Sequence, residues 1–205
     1  MSCDHVWDKD VEPWKPREFL RCVKCGQVFR DFENYVVMLT KDMPVESVLD
    51  VGTGKKGPVA EYYRVNYKGI KKGYVCDIWV IKENLNPIWE KLRMNALDLL
   101  KVLKPKSVDI VQSFGFLEHL EKKDGYRWLE IAEKLARKLV IVSGALYVHG
   151  PTPDYKVKME GNPYHMYRST WSYGEFHGLG WETDWEYFKK GESYMGDVIA
   201  WKRLK

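Results

Sequence analysis

The sequence predicts an α/β fold with a seven-stranded, mostly parallel sheet that ends in an antiparallel hairpin and follows a small separate segment. From about residue 33, short apolar segments alternate with amphipathic ones, and two further apolar segments close the chain around a turn. Residues 1–32 lack this periodicity and hold three of the four cysteines. A chain of 205 residues with 45% hydrophobic and 30% charged residues has a globular composition, which excludes a disordered protein.

The parallel part of the sheet is predicted from five short apolar segments. The first is a buried strand that leads directly into a glycine-rich loop. After this loop, Pro58 is suited to open a helix that runs to Arg64, because proline fits the first helical turn. The five strands are placed at 47–51, 73–77, 91–94, 108–112 and 138–143.

A second helix and a hairpin complete the predicted architecture. The helix over 124–137 has four apolar residues at helical spacing on one face, namely Trp128, Ile131, Ala132 and Leu135. Strands separated by helices indicate βαβ units and therefore a parallel sheet. Two strands over 180–188 and 196–203, joined by a turn at 189–193, are predicted to form the antiparallel hairpin.

The N-terminal segment carries a candidate metal site. Cys22-x-x-Cys25 followed by Gly26 can present two thiolates to one ion, and Cys3 and His5 complete a tetrahedral set. A closed site of this kind predicts structural zinc, which would stabilise a segment too short to fold by apolar burial alone. The alternatives are incidental cysteines, or a redox Cys-x-x-Cys, which is expected at a helix start inside a βαβ unit.

Two flanking residues extend the zinc interpretation. With Trp7 and Arg21 added, the segment resembles a zinc ribbon of the type Cys-x-His-x-Trp followed by Arg-Cys-x-x-Cys-Gly. We therefore interpret 1–32 as a zinc-ribbon-like module and 33–205 as the α/β domain. Cys76 stands apart, inside a predicted strand, and is predicted to be a small buried hydrophobe.

The glycine-rich loop indicates a nucleotide-containing ligand. Gly52-x-Gly54-x-x-Gly57 matches the dinucleotide fingerprint, and Asp77 follows 20 residues after the last glycine. A nicotinamide oxidoreductase is therefore one alternative. However, Asp50 lies two residues before the loop, where a carboxylate suits a ligand with positive charge and would repel a pyrophosphate. The closing hairpin also differs from a second βαβ nucleotide-binding half.

Over about 45–205 the sequence resembles the class I S-adenosylmethionine-dependent methyltransferases. Their first motif is a strand ending in an acid followed by Gly-x-Gly, and their Rossmann-like sheet ends in an antiparallel hairpin. The run Glu118-His119-Leu120-Glu121-Lys122-Lys123-Asp124-Gly125 is similar to bacterial and archaeal members, as is the stretch 162–180. Tyr167 stands where relatives often have histidine, so a role of that histidine does not transfer.

The resemblance implies S-adenosylmethionine as the cofactor and a set of residues that bind it. Asp50 and the loop backbone would hold the methionine part, and Asp77 would accept hydrogen bonds from both ribose hydroxyls. Asn95 and Ala96 would lie beside the adenine, and Ser113 and Phe114 on the methionine side. The implied cofactor-binding residues are thus Asp50, Gly52, Thr53, Gly54, Asp77, Asn95, Ala96, Ser113 and Phe114.

His119 is the candidate catalytic residue. It follows the fourth strand, and it would act as a general base only if the acceptor must lose a proton. The alternative is that His119 anchors the helix that follows. The long, aromatic-rich link over 145–172 is predicted either to cover the acceptor or to pack over the sheet edge.

The methyl acceptor stays open in the sequence. A zinc module and a formal charge of +4 are compatible with RNA or another nucleic acid. A small molecule or a glycan is equally open, because no Asn-Pro-Pro-Tyr motif follows the fourth strand. The alternative function is a non-catalytic zinc-ribbon adaptor with a ligand-binding Rossmann-like domain. The absence of a signal peptide and of an apolar run of about 18–20 residues predicts a cytoplasmic protein without a membrane partner.

Overall fold

The computed structural model describes residues 31–58, 69–146, 162–164, 166–190 and 193–205. This part of the chain contains one seven-stranded mixed sheet, as the sequence predicted. The strands are β1 (Ser47–Val51), β2 (Lys72–Asp77), β3 (Trp89–Arg93), β4 (Val108–Ser113), β5 (Ala136–Leu146), β6 (Glu182–Lys190) and β7 (Ser193–Arg203). The predicted zinc ligands Cys3, His5, Cys22 and Cys25, and residues 59–64 of the predicted first helix, lie outside the described residues.

The strand order determines where a ligand can bind. It is β3-β2-β1-β4-β5-β7-β6. β1 pairs in parallel with β2 on one side and with β4 on the other, so the direction of winding reverses between β1 and β4. β7 lies antiparallel between β5 and β6, which forms the predicted hairpin. In open α/β sheets, ligands bind outside the carboxyl ends of the strands at such a reversal.

Each face of the sheet packs against its own helix. Side chains alternate along β1, so Val48 joins one buried cluster and Leu49 the other. The helix α1 (Asp31–Thr40) contributes to the first cluster, and α2 (Lys122–Leu135) to the second. The four apolar residues predicted to share one helical face, Trp128, Ile131, Ala132 and Leu135, are all buried in α2.

A short third helix, α3 (Tyr173–Gly178), precedes the hairpin. It begins at Ser172, whose hydroxyl accepts a hydrogen bond from the Glu175 amide while the Glu175 carboxylate accepts one from the Ser172 amide. This capping box satisfies donors at the helix start. Among the described residues, no helix is long and apolar enough to cross a membrane.

Most element boundaries differ from the prediction by one to three residues, and two of these differences have a cause in the sheet. α2 ends at Leu135, and β5 begins directly at Ala136 because this residue already pairs with Val108 of β4. β3 begins at Trp89, two residues earlier than predicted. Its indole fills the space beside Gly73, where a Cβ atom would lie only 2.2 Å from the ring. Pairing and packing across the sheet set both boundaries, and local periodicity does not report them.

Candidate functional site

A cavity of about 680 Å³ opens at the carboxyl ends of the parallel strands. Its size lies within the range of about 300–1,000 Å³ that is usual for ligand sites. Residues that follow β1, β2, β3 and β4 line it, together with Asn162, Tyr164 and Arg168. We call residues 162–164 and 166–171 the strap. The cavity therefore lies at the reversal of winding where the strand order places a ligand.

The loop after β1 exposes its backbone to this cavity. Gly52 and Gly54 have φ angles of +79° and +53°, which side-chain-bearing residues rarely adopt. A Cβ atom on Gly52 would lie 2.8 Å from the Phe116 ring, so only glycine fits there. A Cβ atom on Gly54 would meet nothing within 4 Å. The backbone at Gly54 is thus open to a ligand.

Asp77, the last residue of β2, is held by backbone amides. Its Oδ2 accepts a hydrogen bond from the Gly54 amide at 2.9 Å. Its Oδ1 accepts from the amides of Trp79 at 2.8 Å and Val80 at 3.3 Å. A carboxylate has about four acceptor positions, so about one remains for a ligand hydroxyl. A second hydroxyl would have to replace an amide, and the Val80 amide makes the longest of the three bonds.

Thr53 has an unsatisfied hydroxyl beside the cavity. Its side chain is 8% exposed, and it lines the cavity between the two glycines. Within the described part of the chain, Thr53 Oγ1 is buried without a hydrogen-bond partner. Such a group costs free energy unless a partner arrives, and a bound ligand would supply one.

Asp50 and Ser113 are buried and are not among the described residues that line the cavity. Asp50 is 2% exposed and its Oδ2 accepts a hydrogen bond from Gln112 Nε2 at 2.7 Å. Register explains this, because Asp50 of β1 lies opposite Gln112 of β4. Ser113 is fully buried and its hydroxyl accepts from Trp128 Nε1 at 3.1 Å. Both side chains support the loops that line the cavity.

The other implied cofactor residues do line the cavity, namely Gly52, Thr53, Gly54, Asp77, Asn95, Ala96 and Phe114. Asn95 follows β3, and its side-chain oxygen accepts a hydrogen bond from the Leu97 amide at 3.0 Å. That oxygen keeps a second lone pair, so it can still accept from an amino group on a ligand. Ala96 is buried beside it and offers an apolar surface.

His119 also lines the cavity and lies in the short turn Leu117–His119 after β4. Its Nδ1 is 3.2 Å from the carbonyl oxygen of Met166, and its ring lies 5.3 Å from that of Tyr167. Since a carbonyl only accepts, Nδ1 is the donor in this contact. A neutral His119 ring therefore has its unprotonated nitrogen at Nε2, as a general base requires.

Backbone hydrogen bonds attach the strap to the His119 turn. The amides of Arg168 and Ser169 donate to the Glu118 carbonyl oxygen at 2.7 and 3.2 Å. The Ser169 hydroxyl donates to the carbonyl oxygen of Leu117 at 3.0 Å. These bonds fix the strap across the cavity and keep Arg168 at its lining.

The carboxyl end of the strap is anchored by Trp171. Its indole is 1% exposed and fits against two glycines, Gly125 of α2 and Gly144 of β5, where Cβ atoms would lie 2.3 and 2.8 Å from the ring system. The Lys122 ammonium lies 3.9 Å above the same ring and 2.6 Å from a carboxylate oxygen of Glu175. Burial alone would raise the pKa of Glu175, but hydrogen bonds from Lys122, Ser172 and Tyr126 hold it below its ordinary value.

Several lining residues were not singled out from the sequence. They include Ile78, Trp79 and Val80. Trp79 could have been found in the sequence, because it is an aromatic residue two positions after Asp77, the acid that ends the predicted second strand. Cys76 is buried, as predicted, and also lines the cavity floor. Burial, with a smaller effect of the Asp77 carboxylate, raises the pKa of the Cys76 thiol to about 12, so it stays protonated at neutral pH.

Comparisons with solved structures identify proteins that have a similar fold. No protein-family model and no curated protein matches the sequence. Among solved structures, the methyltransferase domain of bacterial CtHen1-CN matches with a TM-score of 0.56 and 16% identity, over 84% of this chain and 97% of that one.

Two further matches are methyltransferases with bound S-adenosylhomocysteine. The 1,6-didemethyltoxoflavin-N1-methyltransferase of Burkholderia thailandensis has a TM-score of 0.59 and 12% identity, over 84% of this chain and 76% of that one. The magnesium protoporphyrin IX methyltransferase of Synechocystis PCC 6803 has a TM-score of 0.54 and 16% identity, over 84% and 82%. At these identities the similarity concerns the fold. The chain has the Rossmann-like fold of these methyltransferases, which confirms the predicted fold of the α/β domain.

Proposed function

We propose that this chain is an S-adenosylmethionine-dependent methyltransferase that binds its cofactor in the cavity at the reversal of winding. The observation that carries the proposal is the 2.9 Å hydrogen bond between the Gly54 amide and the Asp77 carboxylate. It joins the glycine loop after β1 to the acid that ends β2 and puts both in one cavity. The similar fold of methyltransferases that hold S-adenosylhomocysteine supports this assignment.

The chemistry of the lining residues fits this cofactor. The backbone at Gly54 has free space beside it, so the methionine part can lie close to it. The Thr53 hydroxyl, which has no partner among the described residues, can form a hydrogen bond with the ligand. Asp77 can accept a hydrogen bond from a ribose hydroxyl. Asn95 and Ala96 combine a carbonyl oxygen with an apolar wall, which suits the amino group and the ring of adenine.

A nicotinamide cofactor fits the fold less well. Dinucleotide-binding folds repeat the βαβ unit in two halves, with parallel strands on both sides of the reversal. Here β7 lies antiparallel beside β5. The part of the sheet beyond β4 and β5 therefore departs from the second βαβ half of a dinucleotide-binding fold.

The chain's part in the reaction would be positioning. S-adenosylmethionine, when bound, would supply a methyl group on a sulfonium. A lone pair of the acceptor would form the new bond to the methyl carbon, and the electron pair of the broken sulfur–carbon bond would remain on sulfur. An acceptor that carries a proton would lose it. Holding the reactants in line supplies much of the acceleration for such a step. His119 is proposed to take the proton at Nε2 where the acceptor carries one.

Calorimetry with S-adenosylmethionine and S-adenosylhomocysteine tests the proposal, with NAD as the matched control. We expect both sulfur compounds to bind and NAD to show no binding. Folded protein that binds neither sulfur compound would overturn the methyltransferase assignment. Binding of NAD in their place would assign the cavity to a nicotinamide enzyme.

We also propose a structural zinc ion held by Cys3, His5, Cys22 and Cys25. Three thiolates and one imidazole are the donor set of closed tetrahedral zinc sites. Protein purified without chelators should hold about one equivalent of zinc, and a Cys22→Ser variant should lose it. A zinc content below about half an equivalent in the unsubstituted protein would contradict the proposal.

A further inference from the structure

Exposed apolar side chains concentrate at the mouth of the cavity. The described residues include eight large hydrophobic side chains that are exposed, and five of them lie in two short segments, 78–79 and 164–167. We call these five the aromatic rim: Ile78, Trp79, Tyr164, Met166 and Tyr167. Single exposed apolar residues are common, but a cluster beside a cavity marks a binding surface.

The two segments of the rim meet across the cavity. Ile78, Trp79 and Tyr164 line it directly, and the Trp79 and Tyr164 rings lie 6.2 Å apart at an interplanar angle of 57°. Trp79 is 36% and Tyr164 44% exposed, so a large part of each ring remains accessible. Tyr167 packs against His119, which links the rim to the candidate base.

Backbone hydrogen bonds and a buried anchor hold both segments of the rim in place. The Trp79 amide donates to the Asp77 carboxylate, which fixes the first segment at the end of β2. The second segment is tied to the His119 turn through the Arg168 amide and is anchored further along by buried Trp171. A preorganised aromatic surface loses little conformational entropy on binding, which favours a stacked ligand.

Charge on the cavity lining distinguishes between classes of acceptor. Among the described lining residues, Lys55 and Arg168 are basic, while Asp77, Glu121 and Asp124 are acidic. Sites for single-stranded nucleic acid combine aromatic rings with a positively charged groove that follows the phosphates. The described lining carries no positive excess that would follow such a backbone. The rings favour a stacked acceptor, and the charges disfavour a polyanion.

We propose that the methyl acceptor is a small compound with a planar aromatic or heteroaromatic ring, which stacks on one of the Trp79 and Tyr164 rings and contacts the other at the aromatic rim. This inference rests on the proposed function for the identity of the reaction. Arg168 can in addition bind an oxygen atom on a substituent of the ring. Its ion pair with Glu121 is weak, because the two groups are 3.3 Å apart and the Glu121 side chain is 64% exposed.

Binding by four ring compounds tests the inference: a catechol, a naphthol, a hydroxyquinoline and a flavonoid, each titrated with and without S-adenosylhomocysteine. The variants are Trp79→Ala and Tyr164→Ala, and Val102→Ala is the matched control because Val102 is exposed outside the cavity lining. At least one ring compound should bind and lose about tenfold in affinity in each rim variant, as expected for one lost stacking partner. The control should bind unchanged.

Three results would overturn the inference. They are no binding of any ring compound, equal binding to rim and control variants, and rim-dependent binding of a short oligoribonucleotide in place of the ring compounds. S-adenosylhomocysteine binding, measured separately on the same variants, reports on the proposed function. Ring binding at the rim without S-adenosylhomocysteine binding would remove the methyltransferase assignment and leave the rim as a binding site.

Discussion

Asp109, near the amino ends of the parallel strands, and Asp77 and Thr53, at their carboxyl ends, differ in how fully their side chains are hydrogen-bonded. At the amino ends, the Asp109 carboxylate of β4 accepts hydrogen bonds from the amides of Glu46 and Ser47 at 2.8 and 3.2 Å and pairs with Arg137 and Lys138 at 3.1 Å each. At the carboxyl ends, the Asp77 carboxylate can still accept a hydrogen bond, and Thr53 Oγ1 has no partner within the described part of the chain.

This contrast separates stabilising groups from groups available to a ligand. The buried Asp109 carboxylate belongs to β4, and its partners are Glu46, Ser47 of β1, and Arg137 and Lys138 of β5. It therefore holds β1, β4 and β5 together. A hydroxyl buried without a partner weakens the free protein slightly and gains a bond when a ligand enters. The amino ends therefore hold the sheet together, and the carboxyl ends are left incomplete for binding.

The largest effect is expected for Asp77→Ala, measured as affinity for S-adenosylhomocysteine. Hydrogen bonds to a charged group contribute about 1.5–3 kcal/mol each, so affinity should fall by about 100-fold. Stability should change by less than about 1 kcal/mol, because water can replace the carboxylate at the partly exposed amides. Calorimetry and urea unfolding measure the two quantities.

Asp77→Asn is the matched variant, since it keeps one acceptor oxygen and should retain part of the affinity. An Asp77→Ala protein that binds the ligand as tightly as the unsubstituted one would remove Asp77 from the cofactor site.

Asp109→Ala should show the reverse pattern. In the unsubstituted protein the Asp109 side chain is 3% exposed, and removing it leaves the amides of Glu46 and Ser47 without their acceptor. The unfolding free energy should fall by about 2–3 kcal/mol, while S-adenosylhomocysteine affinity stays unchanged. A large loss of affinity in the folded variant would contradict the separation of the two ends.

The same variant tests the pH dependence of stability. Burial alone would raise the pKa of Asp109, but hydrogen bonds from the Glu46 amide, Lys138 and Arg137 hold it below its ordinary value of 3.8. A lowered folded-state pKa contributes stability above the unfolded-state value, and this contribution is lost as the pH falls through the folded-state value. The difference in unfolding free energy between unsubstituted protein and Asp109→Ala should therefore stay constant from about pH 7 to about pH 5 and shrink as the pH falls below 3.8. A difference that stays constant below pH 3.8 as well would contradict the charge contribution.

The sequence predicted the local parts of the site and missed the parts that depend on packing. Gly52, Gly54 and Asp77 line the cavity as expected, because a loop and a strand end at fixed spacing have few alternatives in a parallel sheet. Asp50 and Ser113 stay predictions as ligand contacts. In the described structure their side chains bond to Gln112 of β4 and to Trp128, and no local pattern reports these partners.

The strap shows the same limit over a longer distance. The aromatic-rich link predicted over 145–172 lies largely outside the described residues. The position of its described part, the strap, depends on backbone bonds to the Glu118 carbonyl and on the space left by Gly125 and Gly144 for Trp171. These contacts join residues about 25–50 positions apart, which no local pattern reports.

The smallest effects are expected for two hydroxyl deletions, Ser47→Ala and Thr53→Val. Ser47 Oγ accepts from the Asp109 amide and from Arg137, both at 3.0 Å, so its loss should cost about 1–2 kcal/mol of unfolding free energy. Thr53→Val removes a hydroxyl without a partner and keeps the side chain's shape, so the free protein should be as stable or slightly more stable. Its S-adenosylhomocysteine affinity should fall about fivefold, because the hydroxyl bonds only to the ligand. Equal stability losses in the two variants would mean that Thr53 is satisfied in the free protein, and an unchanged affinity would place its hydroxyl outside the cofactor site.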